Sequence, residues 1–378
     1  MRRAPRVLVV GTFDPEFTRN RHVLRWLDLS GVDVRVEHVP LWQRARLDDV
    51  RGSRVRLALR LPVALTRVVW RMLRAPRPDL VLLLHPVHVD ALVVVPIARL
   101  RRVPLVVDVF ISLRETLVDD RGLTSSRSPV ALVAALLDRI ACRGATLALA
   151  DTPEDAAAFA AATGARPDRF AVLPVGAEAA TFSPDGSGSP LRGRVLFYGT
   201  YIPLHGVDTI VRAAALVRRG DVRFRLVGDG QERPRVEELA RSLGVGNVEF
   251  VAPTDLAGIA REVRAASLCL GVFGTSAKAA RVVPNKVLQQ MAARRPVLTA
   301  GTPAVHRALG DAVATVPAGD ARALAAAIDR LVDSPDAERL AADGHELVSA
   351  AYSDAALAAT LRRHLDAVLS GAARGVVP

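Results

Sequence analysis

Short β-rich runs alternate with helical patterns along this chain, and that alternation limits the fold more than any other feature. Five runs fall in the first half: RVLVVG (6–11), VDVRVEHV (32–39), DLVLLLH (79–85), PLVVDVF (104–110) and TLALADT (146–152). Six fall in the second: RVLFYGT (194–200), RFRLVGD (223–229), NVEFVA (247–252), SLCLGVF (267–273), PVLTAG (296–301) and AVATVP (312–317). Strands joined through helices of about 10–15 residues cannot pair as hairpins, so parallel sheets covered on both faces are expected. Two such series predict an α/β chain of two doubly wound domains. The stretch FSPDGSGSPLRGR (182–194) clusters Pro, Gly and Ser between them and reads as a linker. The expected domains are therefore 1–185 and 190–352, with one more amphipathic helix, 353–370, after Tyr352.

Composition agrees with a globular chain of two domains: 378 residues, 50% hydrophobic and 24% charged. Cys142 and Cys269 lie apart in apolar contexts, which favours buried thiols and a reducing compartment. The run Val7–Val10 is too short for a signal peptide, and the greasy region around 79–100 is broken by His85, Pro86, His88, Asp90 and Pro96, so no membrane span is expected. The net charge of +12 is uneven, with ten arginines against two aspartates in 44–77. Arginines interleaved with Leu, Val and Trp there fit either a solvated sheet-packing helix or peripheral contact with an anionic membrane. Aromatics at 4% leave little for base stacking, so nucleic acid is not expected as a partner.

Ligands of open α/β sheets sit where strands end at their carboxyl side. The loop after the first strand brings Gly11, Arg19 and Asn20, with arginine available for an anion. After PLVVDVF, the loop crowds Asp108, Ser112, Glu115 and Arg121; its carboxylates could act as a catalytic base or bind sugar hydroxyls, or serve only as helix caps and surface charge, and Asp108 in an apolar strand end needs a partner or a role. Gly199, Thr200 and His205 precede a helix start, where free amides favour phosphate. Gly228, Asp229 and Gly230 form a tight turn, but not a dinucleotide fingerprint.

The segment SAKAARVVPNKVLQQ (276–290) is the most specific. Of 51 basic residues only two are lysine, Lys278 and Lys286, and both lie here. Pro284 is expected at the first helical position. Amides of Asn285, Lys286 and Val287, the helix dipole, and Lys286, Arg281 and Lys278 then converge as an anion site, most naturally for a diphosphate. An ammonium is a compact point charge that the planar fork of arginine does not replace. No metal-ligand spacing occurs, so no metal or cofactor is expected.

With these loops laid out, the chain resembles the glycosyltransferase family 4 enzymes of GT-B fold. YGTYIPLHGVDTIVRAAALV is similar to the family's glycine loop, RLVGDGQERPRVEELARSLG to its VGDG segment, and LGVFGTSAKAARVVPNKVLQQMAARRPVL to a subgroup's LGIFG…RVIPNKVYEALA stretch. GTFDPEFTRNRHVL and VVDVFISLRETLVDDR look like the subgroup's acceptor-domain motifs. The resemblance implies two Rossmann-like domains facing a central cleft, with the final helix crossing back onto the first. It implies donor contacts from Gly199, Thr200, His205, Gly228, Asp229, Gly230, Lys278, Arg281, Lys286 and Gln289, and a cleft-facing Gly11. Arg281 and Gln289 stand where the family has its glutamate pair, Thr200 where arginine is usual, and Glu115 where the subgroup has aspartate. The activity implied is transfer from a nucleoside diphosphate sugar to a glycan or lipid-linked acceptor, retaining and metal-independent, in the cytoplasm or at the inner membrane face. Asp108 and Glu115 would orient the acceptor. A non-catalytic binding subunit and a sugar-nucleotide epimerase are the alternatives.

Overall fold

The computed structural model describes residues 3–42, 50–184 and 190–372, without the side chains of 50–58. The arginine-rich segment 44–77 and the linker 182–194 therefore lie partly outside the described residues. The chain divides into two units, residues 1–174 with 357–378, and residues 175–356.

In the first unit the order is β1 (Arg6–Gly11), α1 (Thr18–Leu29), β2 (Asp33–His38), α2 (Val50–Arg74), β3 (Leu80–Leu83), α3 (His88–Leu100), β4 (Leu105–Asp108), the single turn α4 (Leu113–Glu115), α5 (Pro129–Gly144), β5 (Leu147–Ala150), α6 (Pro153–Thr163) and β6 (Phe170–Val172). All strands pair in parallel, in the order β2-β1-β3-β4-β5-β6. One face buries Val68 and Met72 of α2, Val94 of α3, Cys142 of α5 and Phe159 of α6. The other buries Val23, Trp26 and Leu27 of α1 with Leu357, Leu361 and Leu365 from the last helix of the chain.

In the second unit the order is β7 (Arg194–Tyr198), α7 (Val207–Ala214), β8 (Arg223–Val227), α8 (Arg233–Ser242), β9 (Val248–Val251), α9 (Leu256–Ala265), β10 (Leu268–Leu270), α10 (Asn285–Ala292), β11 (Val297–Ala300), α11 (Pro303–Leu309), β12 (Ala314–Val316), α12 (Ala321–Leu331) and α13 (Pro335–Ala351). The final helix, α14 (Asp354–Leu369), returns to the first sheet. The second sheet is also parallel, in the order β12-β11-β10-β7-β8-β9.

Local chemistry sets several helix starts. Ser128, Thr152, Thr302 and Ser334 each cap a helix through the side-chain oxygen and are followed by proline, whose missing N–H costs nothing there. Each sheet reverses strand order once, at β1/β3 in the first and at β7/β10 in the second, and ligands of such sheets bind at that switch point.

Candidate functional site

The switch point of the second sheet holds a buried, unpaired amine. β7 ends at Gly199 and β10 leads through a turn into α10, whose second residue is Lys286. Lys286 is only 7% exposed. Its Nζ has no hydrogen-bond partner in the protein and lies 4.2 Å from the centre of the Phe197 ring. A Cβ at position 199 would fall 2.7 Å from that Nζ and 3.3 Å from His205 Cε1. Gly199, at φ +141°, is thus glycine because the ammonium fills its side-chain space. Burial alone pulls the lysine down to about 7, because the charged form has lost its water and gained no counter-ion. A cation over a ring recovers about 0.5–2 kcal/mol, less than the several kcal/mol that burying an ion costs. Such a group is placed to meet an anion.

The start of α10 differs from expectation by one residue. Pro284 is extended (ψ 135°) and forms the cap, and Val287 N already donates to Pro284 O at 2.9 Å. Asn285 and Lys286 therefore carry the amides left open for a ligand. Gln289, one turn on, is bound at both ends of its amide. Tyr198 Oη donates to Gln289 Oε1 at 2.8 Å, and Gln289 Nε2 donates to Glu178 Oε2 at 2.6 Å. Tyr198 and Glu178 escaped the sequence reading. Glu178 holds a left-handed backbone at φ +50°, rare for a residue with a side chain.

Around this amine the predicted loops meet. His205 Nδ1 hydrogen-bonds the Thr200 carbonyl, and its ring stands edge-on to Phe197. Gly228 and Gly230 are bound to the same loop by contact: a Cβ at 228 would sit 2.0 Å from Gly199 O, and one at 230 would sit 2.7 Å from Tyr201 N. Their glycine identity thus serves loop packing. Exposed Asp229 accepts Tyr201 N on its carbonyl oxygen at 2.9 Å. Lys278 and Arg281 share the preceding turn, where Arg281 N donates to Lys278 O at 2.9 Å.

At the switch point of the first sheet, charges close on each other. Arg19 and Asp108, read as acceptor-facing groups, have fully buried side chains paired twice: Nε to Oδ2 and Nη2 to Oδ1, both 2.9 Å. Arg19 Nη1 also donates to Pro174 O at 2.9 Å. Both side chains are fully buried, and each neutralises the other. Ser112 likewise serves structure, capping Glu115 N at 3.1 Å while donating to Asp138 Oδ2 at 2.7 Å. Asp138 also meets His88 Nε2 at 3.0 Å. Burial pushes this carboxyl up, but bonds from His88, Ser112 and the Leu113 amide outweigh it and hold it below the usual range.

Gly11 is glycine because a Cβ would lie 2.6 Å from Asp90 Oδ2. Asp90 accepts Thr12 N at 2.7 Å, and burial raises it to about 7. Asn20 is buried, with Nδ2 donating to Asp14 O at 2.8 Å and His85 O at 2.5 Å. Glu115 and Arg121 stay partly exposed on the turn after β4.

Two parallel six-stranded sheets, each switching order near its middle, define the GT-B class of fold. Solved structures of that class superpose over nearly the whole chain. A sucrose-phosphate synthase from Thermosynechococcus elongatus matches with a TM-score of 0.74 and 17% identity, covering 98% of this chain and 100% of that one. HepE from Anabaena, crystallised with UDP and glucose, matches with a TM-score of 0.69 and 16% identity, covering 96% of this chain and 100% of that one. The family model "Glycosyl transferase 4-like domain" matches residues 6–176, and "Glycosyl transferases group 1" matches 192–334. The chain belongs to this group 1, family 4-like glycosyltransferase family.

Among curated relatives, D-inositol 3-phosphate glycosyltransferase of Thermomonospora curvata is 30% identical over 263 residues, 60% of this chain and 58% of that protein. Alpha-D-kanosaminyltransferase of Streptomyces kanamyceticus is 29% identical over 164 residues, 42% of each. The chain thus spans about half the length of the curated relatives it matches. Among the described residues, no helix is long and apolar enough to cross a membrane.

Proposed function

We propose that this chain transfers a sugar from a nucleoside diphosphate sugar to a glycan or lipid-linked acceptor. The observation that carries the reading is the buried Lys286 Nζ, without a partner, at the switch point of the second sheet. A diphosphate there would supply the missing counter-charge, and the amides of Asn285 and Lys286 would add donors at the positive end of α10. Charge on the departing diphosphate grows in the transition state, so a fixed ammonium stabilises that state more than the ground state. No protein nucleophile is required if the acceptor attacks on the face the diphosphate leaves, which gives retention without a metal. His205 and Thr200 would shape the loop beside the sugar, and Lys278 and Arg281 would add positive charge from the turn before α10. Gln289 would meet the ribose through its remaining amide N–H, without the strength of a charge-assisted bond. Glu115 and Arg121, partly exposed, are the candidates for meeting the acceptor in the first unit. The cytoplasm is the compartment where such donors and free buried thiols coexist.

The test is nucleoside diphosphate release across a panel of nucleotide sugars, with and without candidate acceptors. Release by the wild type and its loss in Lys286→Ala support the proposal. A wild type that binds donors in a thermal-shift assay yet releases nothing would instead identify a non-catalytic binding subunit, the reading that the tied amide of Gln289 favours. Donor consumed without acceptor or hydrolysis would mark an epimerase.

A further inference from the structure

Three helices of the first unit lie side by side over one face of its sheet: α2, α3 and α5, with Val68, Val94 and Cys142 turned inward. Their outward faces are strongly apolar. On α2, Leu59, Val63, Trp70 and Leu73 are all more than half exposed, Leu59 at 71%. α3 adds Leu92 and Leu100, the latter at 79%. α5 presents Val130, Leu132, Val133 and Leu136, each between 54% and 63% exposed. Among the described residues of the second unit, exposed large apolar side chains are Leu191, Leu216, Leu243 and Leu256, scattered over separate elements.

Charge on this face has one sign. α2 contains no acidic residue, and α3 and α5 contain one each, Asp90 and Asp138, both buried. The outward polar groups include Arg60, Arg67 and Arg74 on α2, Arg99 on α3, and Arg139 and Arg143 on α5. The Arg74 guanidinium stacks 4.4 Å from the centre of the half-exposed Trp70 ring. Contiguous exposed apolar surface marks an interaction site. Aliphatic groups, an interfacial tryptophan and arginines without any exposed carboxylate complement a surface that is apolar beneath and anionic above.

We propose that the outer face of α2, α3 and α5 docks on an anionic lipid bilayer. The aliphatic side chains enter the acyl boundary, and the arginines meet headgroup phosphates. The docking is independent of the transferase reading, and its test does not use turnover.

The full chain is sedimented with vesicles of phosphatidylcholine alone, and of phosphatidylcholine mixed with phosphatidylglycerol. Partitioning to the anionic mixture should be stronger by on the order of tenfold and should weaken as salt rises. Leu132→Asp with Leu136→Asp, and separately Arg67→Glu with Arg74→Glu, should each reduce it by about tenfold. These positions are exposed, so the melting temperature should hold; Leu132→Ser with Leu136→Ser is the milder pair should the aspartates disturb folding. Absence of binding, equal binding to both vesicles, or binding that none of these pairs weakens overturns the proposal. So does a solution dimer that Leu136→Asp dissociates, which would assign the face to a second copy of the chain.

Discussion

The switch points of the two sheets treat buried charge in opposite ways. In the first unit the buried ionisable groups discussed have protein partners: Arg19 pairs with Asp108, Asp138 meets His88 and Ser112, and Asp90, raised to about 7 by burial, accepts hydrogen bonds from Thr12. In the second unit Lys286 is also buried, and its Nζ has no hydrogen-bond partner or counter-charge in the protein. A closed pair is complete without a ligand and acts as structure. An open one is paid for by whatever binds it. Strand topology is alike in the two sheets, so the difference comes from side chains, and among the described residues discussed the buried cation without a counter-charge stands at the second switch point.

The contrast can be broken first at its structural end. Asp108→Ala leaves the Arg19 guanidinium buried without its counter-ion, and should cost about 3–5 kcal/mol in denaturant unfolding. Stabilisation of the second unit by nucleoside diphosphate should survive, read as a ligand-induced rise in its own melting transition. At the other end, Lys286→Ala should lower turnover by about 100- to 1000-fold. Lys286→Met should raise the melting temperature of the empty protein. The sign follows from linkage. The folded-state value, near 7, lies below the unfolded one, so the amine opposes folding most at acid pH, and that penalty fades as pH rises toward the unfolded value. A wild type more stable than Lys286→Met at pH 7 would contradict the unpaired-amine picture.

The same amine makes donor binding depend on pH. Empty, it is largely neutral above pH 7; beside a diphosphate it keeps its proton. Binding therefore takes up a proton, and affinity should fall by up to about tenfold per pH unit above 7. Calorimetry in buffers of different ionisation heat measures the uptake, and Lys286→Met should abolish it. The smallest effect is expected at Gln289→Glu, which sets a carboxylate against Glu178. The loss should be about 1 kcal/mol, recovered in the double variant with Glu178→Gln. Additive behaviour would show that the two side chains do not interact.

Much of this was legible in the sequence, where chemistry is local. Strands announced themselves as short apolar runs between helical patterns. β6 went unread because three residues, Phe170–Val172, at a sheet edge carry little periodicity. The paired lysines pointed at α10, and Lys286 proved to be the buried one. The argument that Asp108 needs a partner or a role was sound, and Arg19, 89 residues away, is a partner no spacing rule would have found. Glu178 and Gln289 are 111 residues apart, and no spacing rule links them. Asp138 did leave a trace, as the one acid in the apolar α5, since a carboxylate on a packed helix implies a distant donor.

The return of α14 to the first sheet has a consequence for biosynthesis. The face covered by α1 also needs Leu357, Leu361 and Leu365, which leave the ribosome only after residues 175–356 have been made. The second unit can thus fold during translation while the first still lacks part of its cover. A nascent chain stalled before residue 354 would carry a bare apolar stripe on that sheet, open to chaperones and to aggregation.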